Sequence, residues 1–235
     1  MIIDCVSDLH GHYPELEGGD LLIVGGDLTR DGEYYSYIDF CSWLESCNYT
    51  EKIVIAGNHD NGLSPGYKNC KYGFDFSGWA TYLCDSGTKF SYYPPLEKDI
   101  PEGTVIERKD FKIWGSPWTR TFEGMNHKCK AFTCDTEGEL DKKWALIPDD
   151  IDILITHSPP WGILDKTCRG EHVGSKSLAA RVGNMENPPK LWVWGHIHES
   201  YGIDIPVRPI SIKMINASHV NERYEPVNKP IRVEL

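Results

Sequence analysis

The chain has 235 residues, 40% of them hydrophobic, and a formal net charge of −11 at pH 7. This length is enough for one sizeable hydrophobic core, so we expect a single domain spanning residues 1–235. The acidic balance gives no electrostatic footprint for a long polyanion, which argues against long nucleic acid as the partner. A small phosphate ester remains compatible, because bound cations can reverse the local sign of a pocket in an acidic protein.

The N-terminal residues are strand-like, and the chain contains no long apolar stretch. We therefore expect neither a membrane span nor a secretory signal. Eight cysteines are scattered along the chain without a CxxC pair, a pattern that favours free thiols in a reducing compartment. Together these features predict a cytoplasmic protein, and they leave its oligomeric state unknown.

In chain order, several short apolar runs of strand length end at residues that can bind metal ions. These runs are "MIIDCVSDLH", "DLLIVGGD", "EKIVIAGNHD", "DIDILITH" and "LWVWGHIH". Helical spacing of apolar residues predicts a crossover helix within residues 32–50 and a further helix over residues 175–184. The carboxyl ends of strands in open α/β sheets form the binding crevice, so we expect a site at that edge.

The last run raises a question about two histidines. His196 and His198 would point the same way if the strand geometry persisted past Gly195, and two converging imidazoles suggest a metal ion. For such a pair alone, one packed and one solvated histidine is the simpler interpretation. Glycines also come directly before Asp27 and Asn58, where they let the backbone turn sharply and approach a ligand.

The ordered set "DLH", "GGD", "GNHD", "TH" and "GHIH" resembles the calcineurin-like metallophosphoesterase superfamily. Further similarity to its small single-domain branch, whose relatives act on phosphodiesters including cyclic nucleotides, lies in residues 115–119, 155–165, 172–175, 195–202 and 215–231. The resemblance implies an α/β fold built as a four-layer α/β/β/α sandwich. Two mixed sheets would pack face to face between helices, with a dimetal site at the strand ends.

The resemblance also implies a ligand set in which Asp27 bridges two metal ions. The first site would be completed by Asp8, His10 and His198. The second site would be completed by Asn58, His157 and His196. Such mixed nitrogen and oxygen ligands suit manganese, iron, zinc or cobalt. In a two-metal hydrolase of this kind, a metal-bridging hydroxide attacks the phosphorus.

His59 is left outside this ligand scheme. In the family, the corresponding histidine stabilises or protonates the leaving group, and Asp60 would orient its imidazole. Asn58 would hold a phosphoryl oxygen as well as a metal ion. The alternative is that His59 only packs beside the ligands.

Other polar and aromatic candidates carry weaker signals. The histidines either line the substrate pocket or lie in exposed loops; they are His12 and His172. The arginines either contact phosphate or are solvated; they are Arg30, Arg120 and Arg169. The tryptophans either stack on a base or pack on the core; they are Trp118 and Trp161.

These observations predict a dimetal hydrolase of small phosphodiesters, with cyclic nucleotides favoured by resemblance only. A phosphomonoesterase or nuclease on the same site is the first alternative. The second is a non-catalytic binding or scaffold protein that retains the fold. The inferred ligand set is complete, including His196, which favours an enzyme.

Overall fold

A computed structural model of the chain describes residues 1–64, 74–94, 107–122, 124–126, 128–204 and 212–235. One sheet has five strands, and its members are β1 (Ile2–Val6), β2 (Gly19–Gly25), β3 (Tyr49–Ile55), β4 (Thr81–Leu83) and β13 (Ile231–Glu234). Their order is β13-β1-β2-β3-β4, in which β1 to β4 are parallel and β13 is antiparallel to β1. The sheet is therefore mixed, as predicted.

The second sheet has six strands, namely β5 (Ser86–Tyr92), β6 (Lys109–Ser116), β9 (Ile153–Thr156), β10 (Leu191–Trp194), β11 (Gly202–Asp204) and β12 (Lys213–Asn216). Its order is β11-β12-β10-β9-β6-β5, with antiparallel strands at both edges and parallel strands between them. Two short strands, β7 (Thr119–Arg120) and β8 (Thr133–Cys134), form a separate parallel pair.

The apolar strands are continuous rather than alternating because both faces of each sheet are covered. In β2, Leu21 and Ile23 face the second sheet, and Leu22 and Val24 face the helix α1 (Tyr34–Ser46). The central core between the sheets also receives side chains from β9, β10 and β12. The first sheet is thus packed between a helix and the second sheet.

The outer face of the second sheet is covered in the same way. Leu191 and Val193 of β10 point to the central core, while Trp192 and Trp194 pack under the helices α2 (Glu137–Trp144) and α3 (Lys176–Gly183). Alternate residues of one strand therefore supply two different cores. These layers confirm the predicted α/β/β/α sandwich.

The two predicted helices are present, although each is shorter than its predicted range. The crossover helix ends at Ser46, because the next strand begins at Tyr49. The helix α2 was not predicted, although Thr136 and Glu139 form a capping box at its start.

Within the described ranges, no helix combines the length and apolar character needed to cross a membrane. Seven cysteines in those ranges have free thiols, and Cys70 lies outside the described residues.

Candidate metal centre

Five strands, drawn from both sheets, bring their carboxyl ends to one edge of the sandwich. The strands β1, β2 and β3 are followed by Asp8, Asp27 and Asn58, and the strands β9 and β10 are followed by His157 and His196. Each of these side chains comes within three residues of its strand end. The edge predicted from the sequence therefore carries the predicted residues.

The backbone at this edge adopts a conformation that is costly for residues other than glycine. Positive φ angles occur at Asp8 (51°), His10 (46°), Asp27 (50°) and His196 (69°). Strained left-handed residues cluster at functional sites, where the surrounding structure holds them in place. Because His196 is left-handed and His198 begins a 3₁₀ turn, the strand does not continue past Gly195. The two histidines consequently face different neighbours.

One group of potential ligands consists of Asp8, His10, Asp27 and His198, all buried, whose donor atoms lie within 4.8 Å of one another. Nε2 of His198 is 3.3 Å from Oδ1 of Asp8 and 3.3 Å from Nε2 of His10. Nε2 of His10 is also 3.6 Å from Oδ2 of Asp27. This is the set expected for the first metal ion.

A second group lies on the other side of Asp27. Nε2 of His157 is 3.5 Å from Oδ2 of Asp27 and 3.1 Å from Oδ1 of Asn58. The His196 ring lies next to His157, with 5.1 Å between the ring centroids. Asp27 Oδ2 thus approaches histidines of both groups, the position that a bridging carboxylate requires.

Hydrogen bonds behind these side chains turn their free electron pairs inward. Nδ1 of His157 lies 3.0 Å from the Gly25 carbonyl, and Nδ1 of His198 lies 3.1 Å from the Asn221 carbonyl. Each Nδ1 donates a proton to its carbonyl, so Nε2 is the nitrogen left to bind metal. The amide of Asn58 donates to the Cys129 carbonyl at 3.1 Å, which leaves its oxygen facing His157.

Asp8 is held by donors from two directions. The His196 backbone N–H lies 3.0 Å from both carboxylate oxygens, and the Ser218 hydroxyl donates to Oδ2 at 2.8 Å. These bonds fix the carboxylate and leave Oδ1 facing His198. Both histidines of the "GHIH" motif therefore contact Asp8, His198 through its ring and His196 through its backbone N–H.

The electrostatics of the cluster suit cation binding. Burial opposes ionisation of Asp27 and Asp8, but neighbouring imidazoles lower the pKa of both carboxyl groups below its usual range. Burial lowers the pKa of His10 to about 3, and burial with the adjacent His157 lowers the pKa of His196 to about 3. Burial also disfavours a charged His157, but Asp27 raises its pKa to about 9. A metal ion would displace that proton.

The donor set fits a pair of transition-metal ions. Carboxylate, amide and imidazole acceptors face one another at 3.1 to 3.6 Å around Asp27. Nδ1 of His10 is buried and has no hydrogen-bond partner among the described residues. Without a metal ion, protons on His157 and His198 separate these atoms, and bound cations would replace those protons. Imidazole together with carboxylate suits manganese, iron, zinc or cobalt.

His59 borders this cluster, but Asp60 does not orient it as the sequence suggested. Nδ1 of His59 lies 3.0 Å from the Arg30 carbonyl, and its ring is 4.5 Å from that of His10. The Asp60 carboxylate instead accepts backbone N–H bonds from Gly57 at 2.8 Å and Leu28 at 3.2 Å. Asp60 is fully buried, and its hydrogen bonds link the loop after β2 to the loop after β3. Because its carboxylate is engaged there, it does not orient the His59 ring.

Four of the candidate metal ligands line a cleft of about 1100 Å³, namely Asp27, Asn58, His196 and His198. Of the weaker candidates, four line this cleft, namely Arg120, Trp161, Arg169 and His172. Trp118 is packed instead, because its indole N–H donates to Asp85 at 2.7 Å and Lys143 lies 3.7 Å above its ring. Among the described cleft residues, neither His12 nor the Arg30 side chain contributes a wall.

Tyr224 is a site residue that the sequence analysis missed. Its ring centroid lies 4.8 Å from that of His10, 5.3 Å from that of His198 and 5.9 Å from that of His59. It has a φ of 62° and lines the cleft. The segment 215–231 contributed to the family resemblance, but a tyrosine in it carries no metal-ligand signal.

The sandwich and its paired ligand groups define a phosphoesterase fold with a candidate dimetal centre. Residues 1–200 match the model of the calcineurin-like phosphoesterase family, and the chain belongs to this family. Human metallophosphoesterase domain-containing protein 1 is 34% identical over 250 residues, which cover 98% of this chain and 70% of that protein.

Solved structures share the fold at low sequence identity. The phosphopantetheinyl hydrolase PptH from Mycobacterium tuberculosis superposes with a TM-score of 0.54 at 14% identity, covering 94% of this chain and 90% of that one. The protein TT1561 of Thermus thermophilus gives a TM-score of 0.54 at 14% identity, with coverages of 92% and 88%.

Proposed function

We propose that this protein hydrolyses small phosphodiesters at its metal centre. The observation that carries the proposal is the arrangement of six potential ligands in two groups around Asp27, which borders a large cleft. Two bound metal ions would neutralise phosphoryl charge and activate water at neutral pH. Asp8, His10 and His198 would hold one ion, Asn58, His157 and His196 would hold the other, and Asp27 would contact both.

The chain's own residues would position the substrate and handle the leaving group. One N–H of the Asn58 amide is engaged by the Cys129 carbonyl, and the second would bind a phosphoryl oxygen. The Arg30 carbonyl fixes the His59 ring through Nδ1, so protonated His59 would present its Nε2 proton to the departing alkoxide. These roles assign His59 as a general acid and Asn58 as both a ligand and a phosphate contact.

The charge of the cleft favours a diester over a monoester. Beyond the metal ligands and other histidines, its charged lining residues are Arg120, Arg169 and Lys176 against Glu137, Glu171, Glu199 and Glu222. A monoester dianion or a long nucleic acid gains less from such a balanced wall than from a basic one. A diester carries one negative charge, which two metal ions can neutralise without further cations.

The test is a substrate screen with metal-free protein reloaded separately with Mn²⁺, Fe²⁺, Co²⁺ or Zn²⁺. Bis(p-nitrophenyl) phosphate and 3′,5′-cyclic and 2′,3′-cyclic nucleotides should be hydrolysed with higher kcat/KM than p-nitrophenyl phosphate or single-stranded DNA. The variant His12→Ala is the control for a histidine outside the site and should hydrolyse these substrates as the wild type does, because His12 is exposed and lies outside the described cleft lining. Faster monoester or DNA hydrolysis would support the alternative enzymes, and no turnover with any metal would support a binding or scaffold role.

The free cysteines bear on the cellular compartment of the protein. Free thiols are most stable where glutathione and thioredoxin keep cysteines reduced. We therefore propose a cytoplasmic protein whose substrate is a small phosphodiester or nucleotide.

A further inference from the structure

Three exposed aromatic side chains lie on the walls of the cleft. Phe122, Trp161 and Tyr224 are 59%, 46% and 43% exposed, and all three line it. Scattered exposed apolar residues need no explanation, but several aromatic rings in one cleft indicate a ligand with an apolar part. A phosphate group bound to metal ions makes no use of such walls.

Trp161 is held rigidly although its ring is exposed. Its backbone N–H donates to the Ser175 carbonyl at 3.0 Å, and the neighbouring Pro160 pairs with Ser175 in an isolated β-bridge. The Lys176 ammonium lies 5.4 Å from the ring centroid, within the range of a cation–π contact. An exposed indole on a fixed backbone loses little entropy when a ligand packs against it.

His172 stands beside this indole, with 5.6 Å between the ring centroids. Its Nδ1 lies 2.5 Å from Oδ1 of the fully buried Asp165. The other oxygen of Asp165 accepts backbone N–H bonds from Gly162 at 2.9 Å and Gly174 at 3.0 Å. One carboxylate therefore fixes both the loop that carries Trp161 and the His172 ring. Nε2 of His172 is left to bond a ligand in the cleft.

We propose that Trp161 and His172 form a subsite for the nucleobase of a nucleotide substrate, with Trp161 stacking on the base and His172 bonding its edge. This proposal rests on the phosphodiesterase function proposed above. A flat heterocycle uses both an aromatic face and a directional ring nitrogen, whereas an alkyl chain uses only the first. The cleft is lined both by candidate metal ligands, which would bind a phosphate, and by an indole, which would bind a planar group. A nucleotide carries both a phosphate and a planar base.

The test compares two substrates that differ only in the base. One is adenosine 3′,5′-cyclic phosphate, and the other is methyl riboside 3′,5′-cyclic phosphate, which lacks the base. In the metal-loaded enzyme, Trp161→Ala should lower kcat/KM for the nucleotide about five- to hundredfold, mainly through KM, and change the baseless substrate less than about twofold. Trp161→Phe should recover much of the loss, and His172→Ala should show the same selectivity.

Trp79→Ala is the matched control, because Trp79 is an exposed tryptophan that lines no part of the described cleft. Equal losses on both substrates in Trp161→Ala would overturn the subsite while leaving the phosphodiesterase function intact. If the wild-type enzyme hydrolysed neither these substrates nor bis(p-nitrophenyl) phosphate and 2′,3′-cyclic nucleotides, the phosphodiesterase proposal would fail instead. Calorimetry of adenosine monophosphate binding would then decide the subsite, since equal affinities in wild type and Trp161→Ala would refute it.

Discussion

Asp27 lies between the two proposed groups of metal ligands. Its Oδ2 lies 3.6 Å from His10 and 3.5 Å from His157, which belong to different ligand groups. Removing its side chain should therefore release or misplace both metal ions, because each site would lose a ligand and the bridge between them. We expect elemental analysis of purified Asp27→Ala to show a clear loss of bound metal relative to wild type and activity at background.

The control is a ligand that belongs to one group only. His198 contacts Asp8 and His10 at 3.3 Å, so His198→Ala should perturb chiefly the first ion and retain the second. Circular dichroism should show that both variants stay folded. Full metal content together with normal activity in Asp27→Ala would refute the bridging assignment.

The role assigned to His59 is tested by changing the leaving group. General acid catalysis contributes about 10²- to 10⁴-fold when the departing oxygen is a poor leaving group. We expect His59→Ala to lose activity of that order on a cyclic nucleotide, whose leaving oxygen is a ribose alkoxide, and far less on bis(p-nitrophenyl) phosphate. Metal content should be unchanged.

Two other outcomes for His59→Ala have distinct meanings. Equal losses on both substrates with both ions bound would show that His59 positions the phosphate. Loss of an ion would show that it is a ligand.

Residue types and spacing were enough to predict candidate ligands at the strand ends, and the family resemblance implied how these ligands divide between two ions. Aspartate, asparagine and histidine directly after apolar strands are recognisable, because chemistry limits what can bind a metal ion. The sequence could not show that Asp60 bonds to the backbone of Gly57 and Leu28, since those partners depend on how the loops fold. Tyr224 escaped prediction for a similar reason, because it approaches the cluster only through the C-terminal loop.

At the scale of single elements, the turn after β10 brings the two sheets' loops into contact. A Cβ on Gly195 would overlap Oδ2 of Asp8 and Oγ of Ser7. Gly195→Ala should therefore push the Asp8 carboxylate out of place, lowering affinity for the first ion and the melting temperature. Metal titration followed by thermal unfolding measures both effects.

Gly138→Ala provides the matched comparison for this substitution. A Cβ at Gly138, in the first turn of α2, would meet no atom within 4 Å, and alanine is the better helix former. This variant should bind metal normally and melt no lower than wild type. If Gly195→Ala behaved in the same way, the close packing of the β10 turn against Asp8 would not matter for the site.

The elements that could be predicted are those with a strong periodic or apolar signal. The strands β2 and β10 are buried on both faces, and their continuous apolar runs reveal them. Short strands such as β11, with three residues of intermediate or greater exposure, carry no such signal. They exist because a neighbouring strand offers unpaired backbone groups, which is a tertiary effect.

At the scale of the whole molecule, the candidate metal centre lies where the two sheets meet. The loops after β1, β2 and β3 supply Asp8, His10, Asp27 and Asn58, while the loops after β9 and β10 supply His157, His196 and His198. Neither sheet alone carries a complete ligand set for either ion. The family resemblance predicted this sandwich correctly, whereas composition and periodicity alone predicted only an α/β fold with strand ends at one edge.

The most direct test of the dimetal centre is anomalous diffraction from a crystal of the Mn²⁺-loaded protein. Two anomalous peaks per chain should appear, about 3.5–4 Å apart as in other two-metal sites. One should lie among Asp8, His10, Asp27 and His198, and the other among Asp27, Asn58, His157 and His196. A single peak, or two peaks that do not share Asp27, would contradict the account.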